Sequence, residues 1–142
     1  MEEISFRGYP FRQLNKYFGL RKTQWTVAIA FALYHIGGGQ SVSGSFLGPG
    51  VYAFVFGLAV AWSNGIALPF GIHFALNVWQ PLTGMRGNAD AVWILTEENL
   101  SPNVSMVARE TMGLVMQIIV LVVALALTEY LINKDSTARK NA

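Results

Sequence analysis

The sequence predicts an all-α fold, a polytopic transmembrane helical bundle of about four membrane segments behind an N-terminal amphipathic helix. Two observations carry this. Hydrophobic residues make up 53% of the 142-residue chain and charged residues only 13%, whereas a soluble domain carries about 25% charged residues. Too few charges remain to cover a water-facing surface, so lipid must cover much of it. The apolar residues are also gathered into four runs separated by glycine, proline and polar residues.

In chain order, Met1 to Leu20 mixes Glu2, Glu3, Arg7, Arg12 and Lys16 with Ile4, Phe6, Tyr9, Phe11, Leu14 and Phe18. This pattern predicts an amphipathic helix, with Pro10 as a kink and Gly19 as a stop. The first run, Trp25 to Ile36, has Thr23 available as a cap. The second, Phe46 to Trp62, is interrupted early by Gly48-Pro49-Gly50, and the third, Ile66 to Leu82, holds Pro69. The fourth, Gly113 to Ile132, alone has the roughly 20 clean residues that a full span needs. The other three are short or broken, which predicts tilted or partly re-entrant segments packed against protein. Ala53, Gly57 and Ala61 form a row of small residues suited to close helix packing.

Charge gives an orientation. Arg7, Arg12, Lys16, Arg21 and Lys22 precede the first run, and Lys134, Arg139 and Lys140 follow the last. Four crossings put both termini on the cytoplasmic side, with Trp25 and Trp62 at that interface. The organisation expected is a core over 1–82, a non-cytoplasmic loop of little regular structure over 83–112, a membrane helix over 113–132 and a basic tail over 133–142. The net charge of +2 is too small for nucleic acid. The absence of cysteine removes disulfides, thiolate metal sites and cysteine nucleophiles.

Ionisable groups inside membrane segments are costly and therefore point to function. Both histidines of the chain lie in apolar runs: His35 ends the first and His73 sits within the third. His73 and Asn77 are four residues apart, on one helix face. Upstream stands the pair Glu2-Glu3. Each has a structural reading as well. The glutamates suit a helix N-terminus and His35 a helix C-terminus, and Asn77 suits interhelical bonding. A turn at Gly19 to Lys22 would place Glu3 ~24 Å up one helix and His35 ~20 Å up the next, at similar depth.

Taken in order, Glu2-Glu3-x-x-x-Arg7, Phe31-x-x-x-His35 and His73-x-x-x-Asn77 resemble the three motifs of the CPBP family of membrane proteins. That family includes the type II C-a-a-X prenyl endopeptidases and the Abi or bacteriocin-immunity proteins. The resemblance runs over roughly residues 1–80 and continues in Phe6-Arg7-Gly8. It implies an intramembrane endopeptidase of glutamate type, in the cell membrane of a bacterium or archaeon, acting on a peptide or prenylated protein. By that resemblance Glu2 is the general base and His35 helps hold the water. His73 and Asn77 stabilise the oxyanion, and Glu3 and Arg7 are supporting residues. The chemistry is sound on its own terms: water needs a base to become a nucleophile, and a tetrahedral oxyanion needs fixed donors in a dry site.

No metal or other cofactor is required on this reading. Zinc held by Glu, His and His is the alternative. The family places several membrane helices before the acid pair, whereas this sequence starts at Met1. The expectation is therefore a C-terminal part of a longer protein, a helper subunit or oligomer that supplies helices, or an inactive fragment. Two rivals of other classes are a non-catalytic binding protein of bacteriocin-immunity type and a subunit whose histidines line a proton or ion path.

Overall fold

The computed structural model describes residues 2–82 and 102–140, with side chains of the last segment described over 111–138. Helix takes up 93% of the described residues and no strand occurs among them. Backbone polar groups are thus satisfied within each segment, as a chain in lipid requires. The helices are α1 (Glu2–Arg7), α2 (Tyr9–Gly37), α3 (Val42–Ser45), α4 (Val51–Ser63), α5 (Ala67–Leu82) and α6 (Pro102–Lys140). A π-helical turn, Phe46–Gly50, joins α3 to α4.

The break near Pro10 falls at Gly8, before the proline. Pro10 then occupies the first turn of α2, where its missing N–H costs nothing. At Gly19 the backbone takes φ 77° and ψ 165°, open to glycine but strained for other residues. There the chain folds back: the Phe6 ring meets Phe31 at 5.1 Å and Tyr34 at 5.5 Å between centroids. The expected turn is therefore a single-residue break between two arms of α2. Thr23 does not cap the second arm from outside; its Oγ1 donates to the Gly19 carbonyl at 2.9 Å, within the helix.

α1 and the first arm of α2 together form an arm that is amphipathic in the opposite sense to a soluble helix. Glu3, Arg7 and Phe11, four residues apart, are buried, while Ile4, Tyr9, Tyr17 and Phe18 are exposed. A protein bathed in lipid has reason to keep its charges inside and its apolar groups out.

Among the described residues, two helical stretches are long and apolar enough to cross a membrane. Val42–Ser63 has 22 residues and a mean hydropathy of 1.6; Thr111–Ala138 has 28 and 2.4. Of the about four membrane segments expected, these two meet the length and hydropathy of a full span among the described residues. α5, at 16 residues, measures ~24 Å, short of the ~30 Å hydrocarbon layer. The second arm of α2 carries Arg21, Lys22 and Gln24. Gly48-Pro49-Gly50 does not interrupt its run but widens it into the π turn, a rare form that occurs mostly as single turns within α-helices. α6 begins at Pro102, so the expected irregular loop is helical from there on, and its remainder, 83–101, lies outside the described residues. Pro102 suits the first position of a helix.

α4 is the hub, touching α1, α2, α5 and α6. Its small-residue row does what the sequence predicts. A Cβ on Gly57 would collide with Gln24 Oε1 and come within 2.9 Å of Phe11 Cε2. Gln24 is buried and donates to the Phe54 carbonyl at 3.2 Å and to Thr128 Oγ1 at 3.4 Å, tying α2, α4 and α6 together. Gly57→Ala is expected to cost about 1–3 kcal/mol through overpacking, read as a lowered unfolding midpoint in detergent. An unchanged midpoint would show that Gln24 has room to move aside.

At the Gly19 end, Arg21 grips Glu129 with two bonds, Nε to Oε1 at 2.7 Å and Nη2 to Oε2 at 2.5 Å. Arg12 Nη2 donates to the carbonyl of Asn64, the left-handed cap of α4, at 3.1 Å. Arg21, just before the first apolar run, and Glu129, near the end of the last one, therefore meet at one end of the bundle.

Candidate active site

α1 is only six residues long, yet its pitch sets Glu3 and Arg7 on one inward face. Arg7 is fully buried and Glu3 is 2% exposed. Arg7 Nη1 donates to Glu3 Oε1 at 3.3 Å. The guanidinium carbon lies 4.1 Å from the Phe31 ring centroid and 5.1 Å from that of Phe56, close enough for cation–π attraction. Arg7 Nε and Nη2 and Glu3 Oε2 are buried without a hydrogen-bond partner among the described residues. The aromatic faces supply part of what those donors lack.

α5 brings the partner from 70 residues away. His73 Nδ1 lies 2.8 Å from Glu3 Oε1. A carboxylate only accepts, so Nδ1 is the donor. Nε2 then faces the other way, 3.7 Å from Glu2 Oε2. The imidazole thus sits between the two carboxylates, and it is stacked on Phe56 at 4.8 Å and 15°. Glu2 differs from Glu3 in setting: its side chain is 31% exposed and it lines a cavity of about 280 Å³ together with Glu3, Phe70, His73, Phe74 and Asn77. Phe70, His73, Phe74 and Asn77 follow one another at the spacing of a single helix face.

Of the six residues singled out from the sequence, five come together here: Glu2, Glu3, Arg7, His73 and Asn77. His35 stands beside the group and is not among the residues that wall the cavity. Its Nδ1 donates to the Phe31 carbonyl at 2.9 Å, and its ring meets Phe31 at 4.6 Å. Phe31 in turn meets His73 at 6.1 Å, so one ring touches both imidazoles. Sequence reasoning missed Phe56, Phe70 and the wall role of Phe74. The face periodicity of α5 could have found the last two. Nothing in the sequence marks Phe56, one apolar residue within an apolar run.

Zinc wants three protein ligands and an open position. Among the described residues, no group of three His, Asp or Glu side chains is placed to hold a metal ion.

No curated protein and no solved structure matches this chain. The family model described as type II CAAX prenyl endopeptidase Rce1-like matches residues 1–79. That stretch holds α1 to α4, most of α5 and every residue that walls the cavity. With more than half of its length matched, and with the acid pair, histidines and asparagine inside the matched part, this chain belongs to the type II CAAX prenyl endopeptidase Rce1-like family.

Proposed function

We propose that the protein hydrolyses a peptide bond of a membrane-associated substrate, a prenylated C-a-a-X chain being the class its family implies, with water activated by Glu2. One observation supports this above the others: Glu2 Oε2 and His73 Nε2 face each other across 3.7 Å at the cavity. That is too long for a direct hydrogen bond and is a separation at which a bridging water is to be sought. Glu2 takes a proton from that water as its oxygen attacks the scissile carbonyl. The oxyanion is met by the Asn77 amide, while Nε2 of His73, an acceptor because the ring proton is on Nδ1, holds the second hydrogen of the water. Glu2 then returns the proton to the leaving nitrogen as the C–N bond breaks.

The other residues serve this pair. Glu3, anchored by Arg7, accepts from Nδ1 and so turns Nε2 of His73 toward the cavity. His35 is assigned to the same water as an alternative acceptor to His73: its Nδ1 proton goes to Phe31, which leaves Nε2 free to accept. Phe70 and Phe74, stacked at 6.5 Å and more than half exposed, offer an apolar wall for the substrate. The basic end around Arg21 and Lys22 is assigned to the cytoplasmic face. No divalent metal takes part.

The purified protein in vesicles, supplied with a prenylated C-a-a-X peptide, is expected to cleave it, and His73→Ala is expected to abolish cleavage. EDTA or phenanthroline should leave the wild-type rate unchanged. Loss that zinc restores would overturn the metal-free mechanism. Binding of the peptide without cleavage would overturn the hydrolase and favour a non-catalytic binding role.

A further inference from the structure

The ring of Phe56 has no role in the chemistry above, yet it touches two of the side chains that do. One face lies flat against His73, at 4.8 Å and 15°. Arg7 stands 5.1 Å from the same ring, and Phe31 meets it edge-on at 6.4 Å. Tyr52 stacks near it at 6.4 Å and 25°. Phe56 is 2% exposed and belongs to α4, the helix in contact with all its neighbours. It has nowhere to retreat.

His73 needs such a constraint. Rotation about the last torsion of a histidine is broad, and a single bond to Glu3 fixes one ring atom without fixing the ring plane. The direction of Nε2 depends on that plane. A flat, immobile neighbour parallel to the imidazole removes the freedom that the hydrogen bond leaves. Arg7 contributes to both constraints, since it pairs with Glu3 and lies over Phe31 and near Phe56.

We propose that Phe56 is a positioning residue, whose ring sets the plane of the His73 imidazole so that Nδ1 meets Glu3 while Nε2 faces Glu2 and the cavity. This rests on the hydrolase reading for its consequence in catalysis, though not for its structural content. Phe56 does not line the cavity, so it acts through His73 and has no contact with substrate.

The test uses the fact that the chain has only two histidines. In protein labelled with ¹⁵N at histidine, His35→Gln assigns the two sets of ring signals. In wild type, His73 is expected to show one form with the proton on Nδ1. Phe56→Leu, which has no flat face, should shift His73 toward a mixture of tautomers and leave His35 unmoved. Phe56→Tyr should restore the wild-type spectrum. Phe56→Met serves in place of Phe56→Leu if the latter does not fold. In peptide cleavage, kcat should fall about 10- to 100-fold in the leucine variant, the scale of a small misplacement, with KM unchanged, and recover in the tyrosine variant. A His73 spectrum identical in wild type and in the leucine or methionine variant would overturn the proposal, as would equal losses of kcat in the leucine and tyrosine variants. Failure of the wild type to cleave any peptide would remove the hydrolase reading alone, because the histidine spectrum still decides whether Phe56 holds the ring.

Discussion

Glu2→Gln is expected to lower kcat for peptide cleavage by about 10²–10⁴-fold, the usual range for loss of a general base, while the unfolding midpoint stays near that of wild type. The substitution keeps the shape of the side chain and removes its capacity to take a proton. Stability should change little because Glu2 is partly exposed and stands 3.7 Å from His73 Nε2, too far for a direct hydrogen bond. Glu3 offers the contrast. It is buried and shared between Arg7 and His73, so Glu3→Gln should disturb folding as well as rate. Cleavage by Glu2→Gln within about threefold of wild type would remove Glu2 as the base.

The second large effect falls on stability. Arg7→Ala is expected to destabilise the protein by about 3–5 kcal/mol, the cost of breaking a buried ion pair by deleting one partner. The change leaves the Glu3 carboxylate buried with His73 as its remaining partner. It also withdraws a cation from the faces of Phe31 and Phe56. Arg7→Lys is not a conservative change here, because an ammonium lacks the planar face that fits between aromatic rings. Denaturant titration of wild type and variant in the same detergent measures the difference. A loss below about 1 kcal/mol would show that the pair is only a specificity device, as some buried pairs are.

Much of this was legible in the sequence, for identifiable reasons. Gly19 between two helical patterns marked the fold-back because few other residues accept a positive φ. His73 and Asn77 stood out because polar groups are rare in apolar runs, and their four-residue spacing placed them on one face. Other features left no such trace. An amphipathic pattern does not say which face turns inward, so burial of Glu3 and Arg7 became visible only once His73 and Phe31 were seen packed against them. The tie between Gln24 and Thr128 joins residues 104 apart in sequence, with no periodicity to connect them. His35 was grouped with the site by motif, and its bond to the Phe31 carbonyl depends on a rotamer that no sequence pattern encodes. The stretch 102–112 reads as loop because it lacks the apolar continuity of 113–132, yet α6 begins at Pro102, a residue suited to the first position of a helix.

The inverted arm bears on how the protein reaches its folded state. A segment with a glutamate and an arginine on its inner side cannot settle into lipid alone without a cost of a few kcal/mol for each charge. The groups that shelter those charges, Phe31, Phe56 and His73, are all synthesised after it. Residues 2–18 are thus expected to stay outside the hydrocarbon until α4 and α5 have been made, and then to be drawn in as a wedge between the second arm of α2, α4 and α5.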